Sequence, residues 1–448
     1  MTALSLRMSP TPEQVLRALD RLGPSAPAKI RERFVITPPL EPAETLDRLG
    51  AATSAAMEGL NALRDRICGG DLREMSRLCR AAPSEYDLVA LQPWQDWSTI
   101  ARPDVVTSGG RPVVVEINGD SPAGLFSLHD ALAATQADLL AELGIHVEAE
   151  PPRAMRALIE TLPLTPGVDR VAVCYWRHEI LDAPPAWSYG SFVKALNEHG
   201  IDAFHCPLED LDIDRRGLHH HGDPVTVVYR YFESPDEGRE DELRLLRTVF
   251  DRAREGLVRV VTGYCGEILA SKLSLALLSD DALLAELPPD LAGRLRAHVP
   301  WTRVVEPGGT TYFGERISLP DFALAHRRRL LIKPVRGHAG LGITVGAEVG
   351  EEEWAAALKA ALAAGSEQAL AVVQEVHEPD TSPVRFSDAD GVVTSVTTRS
   401  VDGVFVLDSR PTAVLRRYAV HPGGTVNINP RSGYAPSPVW WQAPGSLG

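Results

Sequence analysis

The chain reads as a mixed α/β protein built from helical and sheet-rich regions around a smaller, largely parallel α/β unit. Three observations lead there. Residues 11–100 carry apolar side chains mostly at helical spacing. Residues 167–262 alternate β-branched runs with amphipathic helices, the rhythm of a parallel sheet. The last 60 residues or so carry several short strands. A chain of 448 residues can form two or three packed units. The breaks Glu150-Pro-Pro and Thr165-Pro-Gly mark a boundary, giving 1–165, 166–262 and 263–448.

The first helix opens at Thr11-Pro12, a cap followed by proline at the first helical position. Glu44 to Cys79 is rich in Ala, Leu and Arg at helical spacing, interrupted at Gly69-Gly70. A hairpin follows at 102–120, then a helix from Leu128 to Leu143 that Gly144 stops. Arg170 to Tyr175 reads as a buried strand, Tyr189 to His199 as a helix closed by Gly200, and Ala203 to Cys206 as a short strand. Val225 to Phe232 is another strand, Glu240 to Glu255 a long helix, and Leu257 to Thr262 a last strand. Beyond it come a helix over Lys272–Leu287, a strand–glycine loop–strand over 330–346, a helix over Glu351–Ala364 and a strand over Ala369–Val376. Short strands are expected at 392–398, 403–407, 411–417 and 424–429, then a loose tail after Trp441.

The formal charge of −15 argues against nucleic-acid binding as the main activity, because neutralising phosphates needs a basic face. No apolar run approaches the length of a membrane span. The first residues, Met1 to Arg7, lack the apolar core of a signal peptide. The five cysteines are widely spaced with no C-x-x-C pair, as in reduced, buried thiols. A cytoplasmic protein is the expectation, with a homodimer as the commonest assembly.

The most informative stretch is Arg102-Pro-Asp104 through Glu116-Ile-Asn118-Gly-Asp120. Two β-branched runs flank Ser108-Gly-Gly-Arg111, which is turn chemistry. Alternation puts Glu116 and Asn118 on one face. A turn at Gly109-Gly110 sets Asp104 across from Val115 or Glu116, and Arg102 near Asn118. One residue of register decides whether Asp104 joins that face. If it does, two carboxylates and an amide oxygen converge beside a guanidinium, a hard-oxygen set suited to Mg²⁺ held with nucleotide phosphates. Taken alone, a solvated hairpin is an equally good reading.

Leu330-Leu-Ile-Lys333-Pro through Gly337-His338-Ala339-Gly340-Leu-Gly342 is a strand entering a glycine-rich tip. Such a tip lets backbone N–H groups approach phosphates, with Lys333 as a point charge. It is not a Walker loop, since no G-K-[ST] follows, and an ordinary surface hairpin fits it as well. Lys272 opens an apolar helix, commonly a solvated place. Gln374-Glu375 ends a strand and could offer backbone groups to a purine edge or simply face water. Arg416 and Arg417 are adjacent on a strand, so at most one enters a given pocket. Arg230 and Arg431 could hold a carboxylate or serve structural ion pairs. His219-His-His221 lacks the spacing of a metal site and reads as a solvated loop.

Together these motifs resemble the circularly permuted ATP-grasp superfamily, and within it the glutathionylspermidine synthetase-like carboxylate–amine ligases. That family carries R-x-D, then E-x-N followed by D-[ST]-P, matched here by Arg102-Pro-Asp104 and Glu116-Ile-Asn118-Gly-Asp-Ser-Pro122. Its helix-opening "NK" is Ser271-Lys272 here, without the asparagine. A "KP" strand with a glycine loop, a "QE" segment and a strand arginine follow in order, over roughly residues 90–440. The acidic hairpin precedes the lysines, which is the permuted order. The resemblance implies an ATP-grasp fold with a small Rossmann-like α/β domain. It implies ATP and Mg²⁺ as cofactors, with Asp104, Glu116 and Asn118 as metal ligands. Arg102 would stabilise the transferring phosphoryl group, with Arg417 preferred over Arg416 as the second arginine. Lys272, Lys333 and the 337–342 loop would clamp phosphates, and Gln374-Glu375 would face adenine. A small-molecule carboxylate and an amine would be joined through an acyl phosphate. A phosphotransferase on the same scaffold and a non-catalytic nucleotide-binding protein are the alternatives.

Overall fold

Apolar alternation and helical spacing converge on a few sheets covered by helices. The computed structural model describes residues 8–22, 28–81, 88–89, 100–119, 124–150, 153–178, 185–232, 239–335, 341–363, 370–420 and 433–442. The expected strand at 424–429, Arg431, the tail after Gln442, and Gly337, His338, Ala339 and Gly340 lie outside the described residues.

The first helix spans Pro12–Arg21, with Thr11 and Gln14 forming a reciprocal capping box. A long helix follows at Ala43–Arg66, then a shorter one at Leu72–Leu78. The break between them holds Gly69 and Gly70 at φ of +61° and +80°.

A seven-stranded antiparallel sheet is organised around Val393–Leu407. Local propensity predicts two separate strands there, broken before Gly403. The chain instead runs through as one strand of 15 residues. Its first half pairs with Thr381–Ser387. Its second half lies between Arg410–Ala419 and Ile100–Ser108. The acidic hairpin, Ile100–Ser108 with Arg111–Asn118, therefore forms one flank of this sheet.

The middle region forms a four-stranded sheet in which Arg170–Tyr175 lies between Asp202–Pro207 and Val227–Arg230, with Arg259–Val261 at the edge. All three pairings are parallel. Helices Pro185–Glu198 and Glu240–Arg254 make the crossovers on either side of the sheet order's reversal. His219 and His220 lie in a short antiparallel strand rather than a loop, with the His220 ring stacked 4.4 Å from Phe204.

A second four-stranded sheet orders as Thr302–Val304, Ala371–Glu375, Leu330–Pro334 and Thr344–Val345. Trp354 of the Glu351–Leu362 helix is fully buried beneath it and anchors its own small core. The single helix expected over Lys272–Leu287 is two, Leu273–Leu278 and Asp281–Ala285. Asp280 causes the break, its carboxylate accepting from the N–H groups of Ala282 and Leu283 as a fresh N-cap.

Candidate active site

The hairpin's register decides the site. Arg102 pairs with Asn118 and Asp104 with Glu116; the next pair is Val105 with Val114. Val115 is therefore the extra residue of a β-bulge, which re-aims the strand beyond it. Of the two registers open from sequence, this one puts Arg102, Asp104, Glu116 and Asn118 on a common face. The Asn118 Nδ2 donates to the Arg102 carbonyl at 3.0 Å, leaving its amide oxygen as an acceptor.

The bulge also has a partner. Lys333, from the neighbouring sheet, donates through Nζ to the Val115 carbonyl at 3.2 Å. Lys272 stands beside it, since its backbone N–H bonds the carbonyl of Val335, just past the Lys333 strand. The Lys272 Nζ lies 3.3 Å from Glu116 Oε1. Residues separated by more than 150 positions are thus drawn to one spot, Lys333 by its strand and Lys272 by the N-cap of the Leu273–Leu278 helix.

Arg417 and Arg416 face opposite ways, as alternation requires. Arg417 Nη2 sits 2.6 Å from Asp104 Oδ2. Arg416 points to the other side, bonded to both oxygens of Asp402 at 2.7 and 3.0 Å and to Glu41 at 2.6 Å. Arg102 Nε is 3.6 Å from Asp104 Oδ1, too long for a hydrogen bond, and that oxygen is buried without a donor.

Burial acts on Asp104, Lys333 and Arg102. It would raise the Asp104 carboxyl, but Arg417, Arg102 and Lys333 together hold it below the ordinary carboxylate range. Burial takes Lys333 from 10.5 to about 8 although Glu116 and Asp104 favour its charge. Arg102 is lowered by burial, with Asp104 opposing and Arg417 reinforcing the drop. Cations outnumber carboxylates two to one in this cluster, an imbalance that suits a polyanion. The orphaned Asp104 oxygen, the Glu116 carboxylate and the Asn118 amide oxygen form a hard-oxygen set that fits Mg²⁺.

Other candidates fall elsewhere. Gln374 is buried and donates to Thr302 Oγ1 at 3.1 Å. Glu375 accepts from Tyr312 Oη and Arg329 Nη2, both at 2.8 Å. Both side chains are thus engaged by Thr302, Tyr312 and Arg329. Gly342 sits at φ +72°, where a Cβ would come 2.8 Å from Pro334, so the backbone at Gly342 lies tightly against the end of the Lys333 strand. Arg230 is fully buried, donating to the carbonyls of Thr262, Phe232 and Gly263. These bonds fasten strand ends together.

Sequence reasoning passes over Gly403. It pairs with Asp104, and a Cβ there would lie 3.0 Å from Arg102 Cδ. The missing side chain is the trough in which Arg102 lies. A glycine inside an otherwise β-branched strand is the available signal.

No family model and no curated protein matches the chain. Among solved structures it resembles a glutathione synthetase-like effector from Globodera pallida, solved in apo form. That match has a TM-score of 0.61 and 12% identity, over 99% of this chain and 100% of that one. It also matches a candidate gamma-glutamylcysteine synthetase from Methylobacillus flagellatus (TM-score 0.44, 12% identity, 84% of this chain and 88% of that one). A third match is D-cycloserine synthetase (TM-score 0.27, 17% identity, 62% and 93%). The first likeness shows the fold: the chain shares the fold of that glutathione synthetase-like effector. The other two scores are too low to support an argument about this chain.

Proposed function

We propose that this protein is an ATP- and Mg²⁺-dependent carboxylate–amine ligase on a circularly permuted ATP-grasp fold, forming an amide bond through an acyl phosphate. One observation carries the reading. Two buried lysines, Lys333 on a strand and Lys272 at the N-cap of the helix beside it, meet a hairpin of oxygen ligands, and among the described residues one carboxylate oxygen there has no donor. The glutathione synthetase-like fold supports it.

In this reading Asp104, Glu116 and Asn118 hold Mg²⁺, which neutralises phosphate charge when bound. Lys272, Lys333 and the 337–342 loop bind the phosphates. Arg102 and Arg417 meet the charge that develops on the transferring phosphoryl group, already fixed in place by Asp104 and the Gly403 trough. The strand ending at Gln374-Glu375 borders the base. A substrate carboxylate attacks the γ-phosphorus and ADP leaves. An amine then attacks the acyl carbon, phosphate leaves, and the amine gives up a proton. Among the described residues no helix is long and apolar enough to cross a membrane.

Phosphate release screened across amino acids and polyamines, with ATP and Mg²⁺, tests the proposal. Free phosphate and ADP should appear only with the right acid and amine together. A stable phosphorylated product would favour a phosphotransferase, and nucleotide binding without turnover a non-catalytic role. Full activity in Glu116→Ala would remove the metal assignment.

A further inference from the structure

The strand Arg111–Asn118 carries Glu116 and Asn118, yet among the described residues it pairs on one side only, with Ile100–Ser108. The register of such an edge strand is set largely by its turn. Here the two turn residues are Gly109 and Gly110, at φ of +57° and +76°, the signature of a type I′ turn. Two glycines permit that turn but specify it weakly, because each reaches many other conformations. A slip of one residue would turn Glu116 and Asn118 to the opposite face.

Something else holds the turn. Asp380 Oδ1 accepts from Gly109 N–H at 2.8 Å, and Oδ2 from Gly110 N–H at 2.9 Å. The Asp380 N–H also donates to the Thr107 carbonyl at 2.7 Å. Asp380 lies five positions beyond Glu375 and directly before Thr381–Ser387, on the segment joining the two antiparallel sheets. Both carboxylate oxygens of one side chain are thus spent on successive amides of a turn distant in sequence.

We propose that Asp380 is a positioning residue: by chelating the turn amides it locks the register that presents Glu116 and Asn118 beside Asp104. The proposal rests on the ligase reading above, in which that face binds metal and nucleotide. Asp380 itself touches neither. Its position also ties the segment after the proposed base-bordering strand to the proposed metal hairpin, so one contact aligns both.

The test uses the full chain. In Asp380→Ala without nucleotide, the Gly109 and Gly110 amides should exchange hydrogen at least about tenfold faster, since two bonds to a charged acceptor are lost. Calorimetry with Mg²⁺ and a non-hydrolysable ATP analogue should show affinity weakened about tenfold, the low end for loss of a ligand-supporting contact. Melting should change little, because Asp380 is exposed. Adding Gly109→Asn, which favours the same turn and meets open space there, should recover most of the lost affinity. Unchanged affinity in Asp380→Ala, or a loss that Gly109→Asn leaves in place, overturns the proposal. A wild-type chain that binds no Mg²⁺–nucleotide counts against the ligase reading, and hydrogen exchange then judges the register lock by itself.

Discussion

Replacing Arg416 and Arg417 separately by methionine should split stability from turnover. Arg416 holds Asp402 through two bonds of 2.7 and 3.0 Å, and Asp402 is only 4% exposed. Arg416→Met leaves that carboxylate buried and unpaired, since the other partner of Arg416, Glu41, is itself an anion. Removing one member of such a pair costs about 3–5 kcal/mol. That is a large share of a typical stability of about 5–15 kcal/mol. Arg417→Met is different. Asp104 loses an ion pair of 2.6 Å but keeps Arg102 at 3.6 Å and the field of Lys333. The mutual repulsion of Arg102 and Arg417 is relieved as well. The stability cost should be about 2 kcal/mol, near that of one charge-assisted hydrogen bond. Turnover should fall about 100- to 1,000-fold, the usual effect of losing a donor aimed at developing charge. Urea unfolding measures the first quantity, and phosphate release at saturating ATP the second. If Arg416→Met abolishes turnover under conditions where it stays folded, while Arg417→Met retains full rate, the assignment of the two faces is wrong.

Lys333→Met should stabilise the fold at neutral pH while weakening nucleotide binding. The drop of the Lys333 pKa from 10.5 to about 8 means its buried charge costs about 3 kcal/mol. With the folded value below the unfolded one, the penalty is complete below about pH 8 and fades as pH rises toward 10.5. The advantage of the methionine variant in urea should shrink over that window; an advantage that grows there would contradict the buried charge. Gly403→Ala should move the Arg102 side chain by a few tenths of an ångström, because the new Cβ would sit 3.0 Å from its Cδ. Turnover should drop about tenfold with little change in unfolding midpoint, as expected for a misplaced catalytic group. An unchanged rate would mean that Arg102 does not need its trough. Asp280→Ala should cost about 1 kcal/mol by uncapping Asp281–Ala285, and an unmoved urea midpoint would refute that.

Much of the site is legible in the sequence because its chemistry is local along the chain. A strand places alternate residues on one face, so Glu116 and Asn118 stand out as a pair. The same alternation says that only one of Arg416 and Arg417 can enter a pocket, without saying which. The strands expected separately at 392–398 and 403–407 follow local propensity, in which glycine ranks low. A long-range contact overrides it, the Arg102 side chain lying across the backbone. Gln374 and Glu375 look available in sequence because nothing near them hints at Thr302, Tyr312 or Arg329.

The sequence by itself determined the parallel unit's alternation of strand and helix, the polar face of the acidic hairpin, and the order in which acids, lysines and glycines arrive. These depend on periodicity and turn chemistry, which act within a few residues. Only the tertiary structure decided the register at Val115, which of Arg416 and Arg417 faces Asp104, and the meeting of Lys272 and Lys333 with that hairpin. Each rests on groups brought together from distant positions, where burial and charge pairing across the fold, rather than local propensity, set the arrangement.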